Sequence, residues 1–135
     1  MERFIVSVEK DTDGTYIAYN TNGDGFALIG RGNTVSEAKA DFENSMKEVA
    51  ESECERTGNI PEILSSAPEY KFSITSLFEY YSVLNVSAFA RYIGINETLM
   101  RQYRKGDTYI SEKRLREIEN GIHRLGEELT GLRLI

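Results

Sequence analysis

The spacing of the apolar residues changes once along this chain, and that change constrains its fold class. Before Gly30 they alternate, with Phe4, Val6 and Val8 on one face of a strand. After Gly32 they recur at three- and four-residue steps, the spacing of an amphipathic helix. Strands followed by a covering helix predict an α+β fold for the N-terminal part.

Turn sequences rich in Asp and Gly separate three predicted antiparallel strands, at residues 4–9, 15–20 and 26–29. Thr34 and Glu37 then match a capping box, which predicts the start of a long helix. Gly58 is typical of a helix end. We predict one helix over one face of an antiparallel sheet.

The composition changes after this helix. Residues 59–69 contain both prolines and are interpreted as a linker, and one further strand is predicted near Tyr70–Ile74. The rest has helical spacing, with predicted helix caps at Thr75 or Ser76, Ser87, Asn96 and Ser111. We therefore predict two domains, an α+β domain over residues 1–70 and an all-helical domain over 71–135.

The segment Val86–Lys105 matches a helix-turn-helix. Ala90 is small enough for the two helices to touch, and Gly94 can adopt the left-handed conformation of a short turn. The polar residues of the second helix share its outer face: Glu97, Thr98, Arg101, Gln102, Arg104 and Lys105. Arg and Gln pair with guanine and adenine edges, and basic side chains suit phosphates. These residues predict binding to double-stranded DNA; the alternative is a helical pair that only packs.

The last predicted helix has a narrow apolar seam. Its residues are Leu115, Ile118, Ile122, Leu125, Leu129 and Leu132, spaced like one face of a coiled coil. The seam predicts either a homodimer or higher oligomer, or packing onto the helix-turn-helix.

Charge is divided unevenly along the chain. Residues 1–70 carry 6 basic and 14 acidic residues, whereas residues 71–135 carry 10 basic and 8 acidic residues. An acidic domain suits a basic protein partner. The preferred partner-binding groups surround the predicted hairpin turns, at Glu9, Asp11, Asp13 and Asp24, and helix residues Glu43, Glu48 and Glu51 are further candidates. An exposed sheet edge there would also offer main-chain hydrogen bonds.

Catalytic and metal sites are not predicted. His123 is the single histidine and lies beside the seam, and Cys54 is surrounded by glutamates that oppose thiolate formation. The segment Asn20–Gly25 matches the start of a calcium loop, but Arg31 stands where the bidentate Glu is required. We predict no enzyme activity and no cofactor. One cysteine, with no signal peptide or membrane-length apolar run, predicts a cytoplasmic protein.

The sequence resembles the HicB antitoxin family. The segments FIVSVEKDTDGTYIA and GDGFALIGRGNTVSEAKADFENSMKEV carry the resemblance, and the family's G-x-T-x-x-E-A helix start is matched by Gly32, Thr34, Glu37 and Ala38. The helix-turn-helix and its long following helix resemble the C-terminal domain of one HicB subgroup. One departure is Asp24-Gly25-Phe26, which stands where the family often has a Pro-Gly pair.

The resemblance implies a partial ribonuclease-H-like first domain, without nuclease activity, that binds and silences HicA, a small basic toxin that cleaves mRNA. It implies that the second domain represses the toxin–antitoxin operon. Two other interpretations are a DNA-binding regulator with a ligand-sensing first domain, and a nuclease of the ribonuclease-H type. The nuclease needs converging carboxylates around two metal ions, whereas the strands offer only Glu9 outside the turns.

Overall fold

A mixed four-stranded sheet forms the framework of the N-terminal unit in the computed structural model, which describes residues 2–23 and 25–135. The strands are β1 (Ile5–Lys10), β2 (Tyr16–Asn20), β3 (Ile29–Gly32) and β4 (Glu69–Phe72), in the order β3-β2-β1-β4. β1 to β3 are antiparallel, as predicted, but β4 runs parallel to β1. The wholly antiparallel prediction is wrong because a helical crossover precedes β4 and returns the chain to the same end of the sheet.

One long helix, α1 (Val35–Thr57), covers one face of the sheet. Thr34 Oγ1 accepts a hydrogen bond from Glu37 N at 3.1 Å, and Gly58 ends the helix with a φ of +81°. Both predicted helix ends are confirmed. The apolar stripe of the helix packs on the inner strand face to form the core, which includes Phe4, Val6, Val8, Val35, Ala38, Phe42, Met46 and Ala50.

β3 begins later than the predicted strand at 26–29. The Asn20 side chain donates to the carbonyls of Asn22 and Phe26, at 2.6 and 2.8 Å, and accepts from Leu28 N at 2.7 Å. The Asn20 side chain thus bonds main-chain groups of the loop before β3, in place of a neighbouring strand. Pairing of β3 with β2 therefore starts only at Ile29.

α1 lies very close to the main chain of β3. A Cβ atom on Gly30 would overlap main-chain atoms of Phe42 and Ala38, and one on Gly32 would overlap Glu37 and Ala38. Both glycines are therefore required by close packing rather than by turn geometry.

The predicted linker contains ordered, buried structure. A short helix, α2 (Glu62–Ser65), places Ile63 and Leu64 in the core. α3 (Ile74–Tyr80) follows β4. Ser73 caps it, because its Oγ accepts a hydrogen bond from Ser76 N at 3.1 Å. The caps predicted at Thr75 or Ser76 are wrong, and Ser76 is buried with its hydroxyl bonded to the amide of Lys10.

The chain divides into compact units at a later point than the predicted 70/71 boundary. The units are Met1–Tyr80 and Tyr81–Ile135. The N-terminal unit extends to Tyr80 because β4 pairs with β1 and α3 packs against β1.

The second unit contains α4 (Val86–Ile93), α5 (Glu97–Lys105) and α6 (Glu112–Gly131). Asn96 and Ser111 cap α5 and α6, as predicted. α4 is capped by Asn85, which accepts from Ala88 N at 2.8 Å, instead of Ser87. The apolar side chains between these helices are Phe89, Ala90, Ile95, Met100, Tyr103 and Ile118. No helix in the described parts of the chain has the length and apolar character to span a membrane.

Candidate functional site

The exposed face of α5 carries most of the residues predicted to contact DNA. Met100 and Tyr103 are buried and fix the helix against its own unit. The opposite face exposes Thr98, Arg101, Gln102, Arg104 and Lys105. Gly94, with a φ of +79°, ends α4 and allows the three-residue connection to α5. A single helix face thus presents three cations and an amide to solvent.

Glu97 differs from the rest of this set. Its carboxylate forms an ion pair with Arg91 of α4. The pair joins the two helices and compensates the one acidic charge on α5, which would otherwise oppose an approaching phosphate. Arg91 was not a candidate from the sequence, because its pairing with Glu97 depends on how the two helices cross.

Arg101 is also held across the two helices. Its guanidinium donates to Ser87 Oγ at 2.9 Å and to Thr98 Oγ1 at 3.3 Å. Gln102 Oε1 accepts from Thr108 Oγ1 at 3.4 Å. Ser87 therefore orients a predicted DNA-contacting residue, a role that its sequence position did not indicate.

Arg104 and Lys105 form no ion pair with any described residue. They occupy the last turn of α5, before Gly106 ends the helix. Two exposed cations beside Arg101 make this end of α5 suited to an anionic ligand.

The predicted seam of α6 is not one continuous exposed face. Ile118 is buried in its own unit, and a Cβ on Gly121 would overlap Ile93 of α4. Arg124 donates to the Tyr92 carbonyl at 2.9 Å and lies 4.6 Å from the centre of the Tyr92 ring. The middle of α6 is thus anchored to α4.

The ends of the seam remain accessible. Leu115 is 43% exposed, and Leu129 and Leu132 are each 58% exposed. Leu132 lies just beyond the end of α6. Only these outer positions are free to join a second copy, while Ile122 and Leu125 are half-buried.

In the N-terminal unit, two of the predicted partner-binding carboxylates already have partners. Asp11 forms an ion pair with Arg31 at 2.8 Å, and this hydrogen-bonded guanidinium lowers the pKa of Asp11. Asp13 accepts from Thr15 Oγ1 at 2.6 Å and Thr15 N at 2.9 Å, which lowers its pKa. Glu9 is half-buried on β1, and Asp24 lies outside the described residues.

The outer edge of β3 is occupied by α1. The main-chain N–H of Arg31 donates to Asp41 Oδ2 at 2.9 Å, and Ser45 Oγ donates to the carbonyl of Ile29 at 3.3 Å. This edge of the sheet is therefore less open than the exposed edge that was predicted to offer main-chain hydrogen bonds to a partner.

Exposed carboxylates also line α1 on the side opposite to Phe42. We call them the α1 acidic stripe: Glu37, Asp41, Glu48, Glu51 and Glu55. Their three-, four- and seven-residue spacing places them on one helix face. Glu48 and Glu51 were candidates from the sequence, whereas Glu37, Asp41 and Glu55 were not.

Within residues 2–23 and 25–135, no three His, Cys, Asp or Glu side chains are arranged to hold a metal ion. Cys54 and His123 are both exposed. The chain shows no significant match to the family models, curated proteins or solved structures with which it was compared.

Proposed function

We propose that this chain is an antitoxin of the HicB type that also represses its own operon. Its second unit binds operator DNA through α5, and its N-terminal unit neutralises a small basic toxin of the HicA type that cleaves mRNA. The single observation that carries the proposal is the α5 face, on which Arg101, Arg104 and Lys105 are exposed.

The DNA-binding part rests on how α5 is held. Met100 and Tyr103 anchor its inner face, so the outer face is presented on a fixed helix. α4 and α5 meet through a three-residue turn, and α5 would act as the recognition helix in the major groove. Thr98, Arg101 and Gln102 then face base edges, and Arg104 and Lys105 face phosphates.

Salt dependence tests this arrangement. Lys105→Ala should weaken binding to operator and random duplexes alike and reduce the salt slope by roughly one unit. Lys113→Ala on α6 is the matched control, since it removes the same charge from an exposed position outside α5. Equal effects of the two variants would argue against α5 as the DNA-binding helix.

The toxin-binding part rests on charge. Residues 1–80 carry 7 basic and 15 acidic residues. A ribonuclease needs a cationic surface for RNA phosphates, and an inhibitor can occupy that surface with carboxylates. Arg31 neutralises Asp11, whereas no carboxylate of the α1 acidic stripe forms an ion pair with a described residue. The stripe is therefore the larger uncompensated negative charge available to a basic protein.

Charge reversals can separate the two acidic surfaces. Glu48→Lys with Glu51→Lys should slow association with the toxin encoded next to this chain and weaken its inhibition. Asp11→Lys with Asp13→Lys is the matched variant for the hairpin turn. A larger loss of toxin inhibition in the Asp11/Asp13 variant would place the toxin-binding surface at the hairpin turn instead. Residues 1–80 alone should inhibit the toxin without binding operator DNA.

The sheet and its single long covering helix support the partial ribonuclease-H-like assignment within this proposal. Association through the exposed ends of α6 would give the dimer or higher oligomer that two operator half-sites require. Cytoplasmic location and absence of enzyme activity belong to the same proposal.

A further inference from the structure

The two edge strands of the sheet, β3 and β4, differ in what lies beside their outer main-chain groups. Asp41 and Ser45 of α1 bond to the outer main-chain groups of β3, as described above. β4, at the opposite edge, pairs with β1 on one side, and no strand of the described residues lies on its other side. Proteins usually protect such edges, because unpaired strand groups accept further strands.

The hydrogen bonds to β1 determine which groups of β4 face outward. Glu69 N donates to the Phe4 carbonyl at 2.8 Å, and Ser73 N donates to the Val8 carbonyl at 3.1 Å. Because main-chain groups alternate along a strand, the N–H and C=O of Tyr70 point away from β1. The Tyr70 side chain faces α1, where Lys39 Nζ lies 4.4 Å from its ring centre.

The residues on either side of Tyr70 carry opposite charges. Glu69 and Lys71 are both exposed and lie on the sheet face that α1 does not cover. In an antiparallel pairing centred on Tyr70, Glu69 of one copy would lie opposite Lys71 of the other, and the reverse pair would form by symmetry. Opposite charges at directly facing positions stabilise strand pairs.

We propose that β4 pairs antiparallel with β4 of a second copy of this chain, with Tyr70 opposite Tyr70. Each Tyr70 then exchanges two main-chain hydrogen bonds with its counterpart, and two Glu69–Lys71 pairs flank them. The interface is self-complementary, as a two-fold axis requires. It joins the two four-stranded sheets into one continuous sheet.

An edge lysine and a nearby proline normally discourage strand pairing, but Lys71 and Pro68 are both compatible with this register. Lysine on an edge strand repels another strand only when its charge is left uncompensated, and here Glu69 faces Lys71. Pro68 lies outside β4, next to its first residue, so its missing N–H does not interrupt the central bonds. The strand is only four residues long, so we expect a weak contact that adds to association elsewhere in the chain.

Charge reversal with rescue tests the register. In the full chain, Glu69→Lys and Lys71→Glu should each raise the dissociation constant of this contact roughly tenfold or more, since both facing pairs become like-charged. The double variant carrying both changes should restore association, and so should an equimolar mixture of the two single variants. Sedimentation velocity over a concentration series at low salt measures each state.

Two controls address simpler explanations. Lys47→Glu makes the same charge change on exposed α1 and should leave association unchanged. Arg3→Gln removes the 3.9 Å ion pair with Glu69 and should also have no effect. The proposal is overturned if single reversals leave association unchanged, or if neither combination restores it, which would indicate that β4 binds a different protein.

Discussion

Arg101 Nη1 donates a hydrogen bond to Ser87 Oγ at 2.9 Å, so the middle of α5 is tied to the first turn of α4. The bond is exposed and contributes little to stability by itself. It holds a long side chain that would otherwise lose rotamer freedom on binding. Its effect should therefore appear in recognition rather than in folding.

For DNA recognition, we expect Arg101→Ala to cost about 1–3 kcal/mol on the operator and to relax specificity at one base pair. Ser87→Ala should cause a smaller loss in the same direction, about 1 kcal/mol, and Ser87→Thr should retain binding. Fluorescence anisotropy with operator and random duplexes measures both. An equal loss on the two duplexes for Arg101→Ala would remove its base-reading role.

The two interior glycines of α6 should respond oppositely to alanine. A Cβ on Gly121 would overlap the β-branched Ile93, so Gly121→Ala should destabilise the second unit by about 1–3 kcal/mol. Gly126 has no neighbouring atom at that distance, so Gly126→Ala should stabilise it by about 0.5–1 kcal/mol. Urea unfolding of the two variants decides the matter, and a stabilised Gly121→Ala protein would contradict the packing of α6 on α4.

Asp11 and Asp13 predict an acid-sensitive N-terminal unit. Hydrogen bonds lower the pKa of each carboxyl in the folded protein below its usual 3.8, so the folded state binds protons less readily than the unfolded chain. Their stabilisation is present above the unfolded pKa and is lost as the pH falls through the folded pKa. The urea concentration at the midpoint of unfolding should therefore decrease as the pH is lowered below about 4. Asp11→Asn with Asp13→Asn should flatten that dependence, and an unchanged profile would contradict it.

The exposed end of α6 predicts a second self-association surface. Leu129→Asp with Leu132→Asp should lower the oligomeric state without unfolding, because both side chains are largely exposed in the single chain. Asn120→Asp, on another face of α6, is the matched control. Sedimentation and circular dichroism together measure assembly and folding. A folded variant with an unchanged oligomeric state would show that this end of α6 does not join two copies.

Local signals in the sequence predicted the elements whose ends depend on neighbouring residues. Thr34, Asn96 and Ser111 each bond an amide three residues ahead, so their caps are visible in a short window. Ser87 satisfies the same local pattern but bonds to Arg101, while Asn85 caps α4. Sequence spacing alone does not separate two polar residues that compete for one role.

Contacts between distant segments account for the other differences. The parallel pairing of β4 with β1 joins residues more than sixty positions apart, as Val6 and Tyr70 show. The start of β3 depends on the Asn20 side chain, and the pairing of Asp11 depends on Arg31 across the sheet. On α5 the candidate residues follow from helical spacing, but their partners Arg91 and Ser87 follow from the crossing of two helices.

The contact of α1 with Gly30 and Gly32 has a consequence for how the N-terminal unit opens. Main-chain atoms of the helix and strand touch directly, so β3 cannot detach by a shift of side chains alone. Asp41 and Ser45 add hydrogen bonds from the same helix to the same strand. β3 and the first half of α1 should therefore exchange their amide hydrogens in one cooperative event. Partial opening of this unit would then leave the strand and the helix either both protected or both open to solvent.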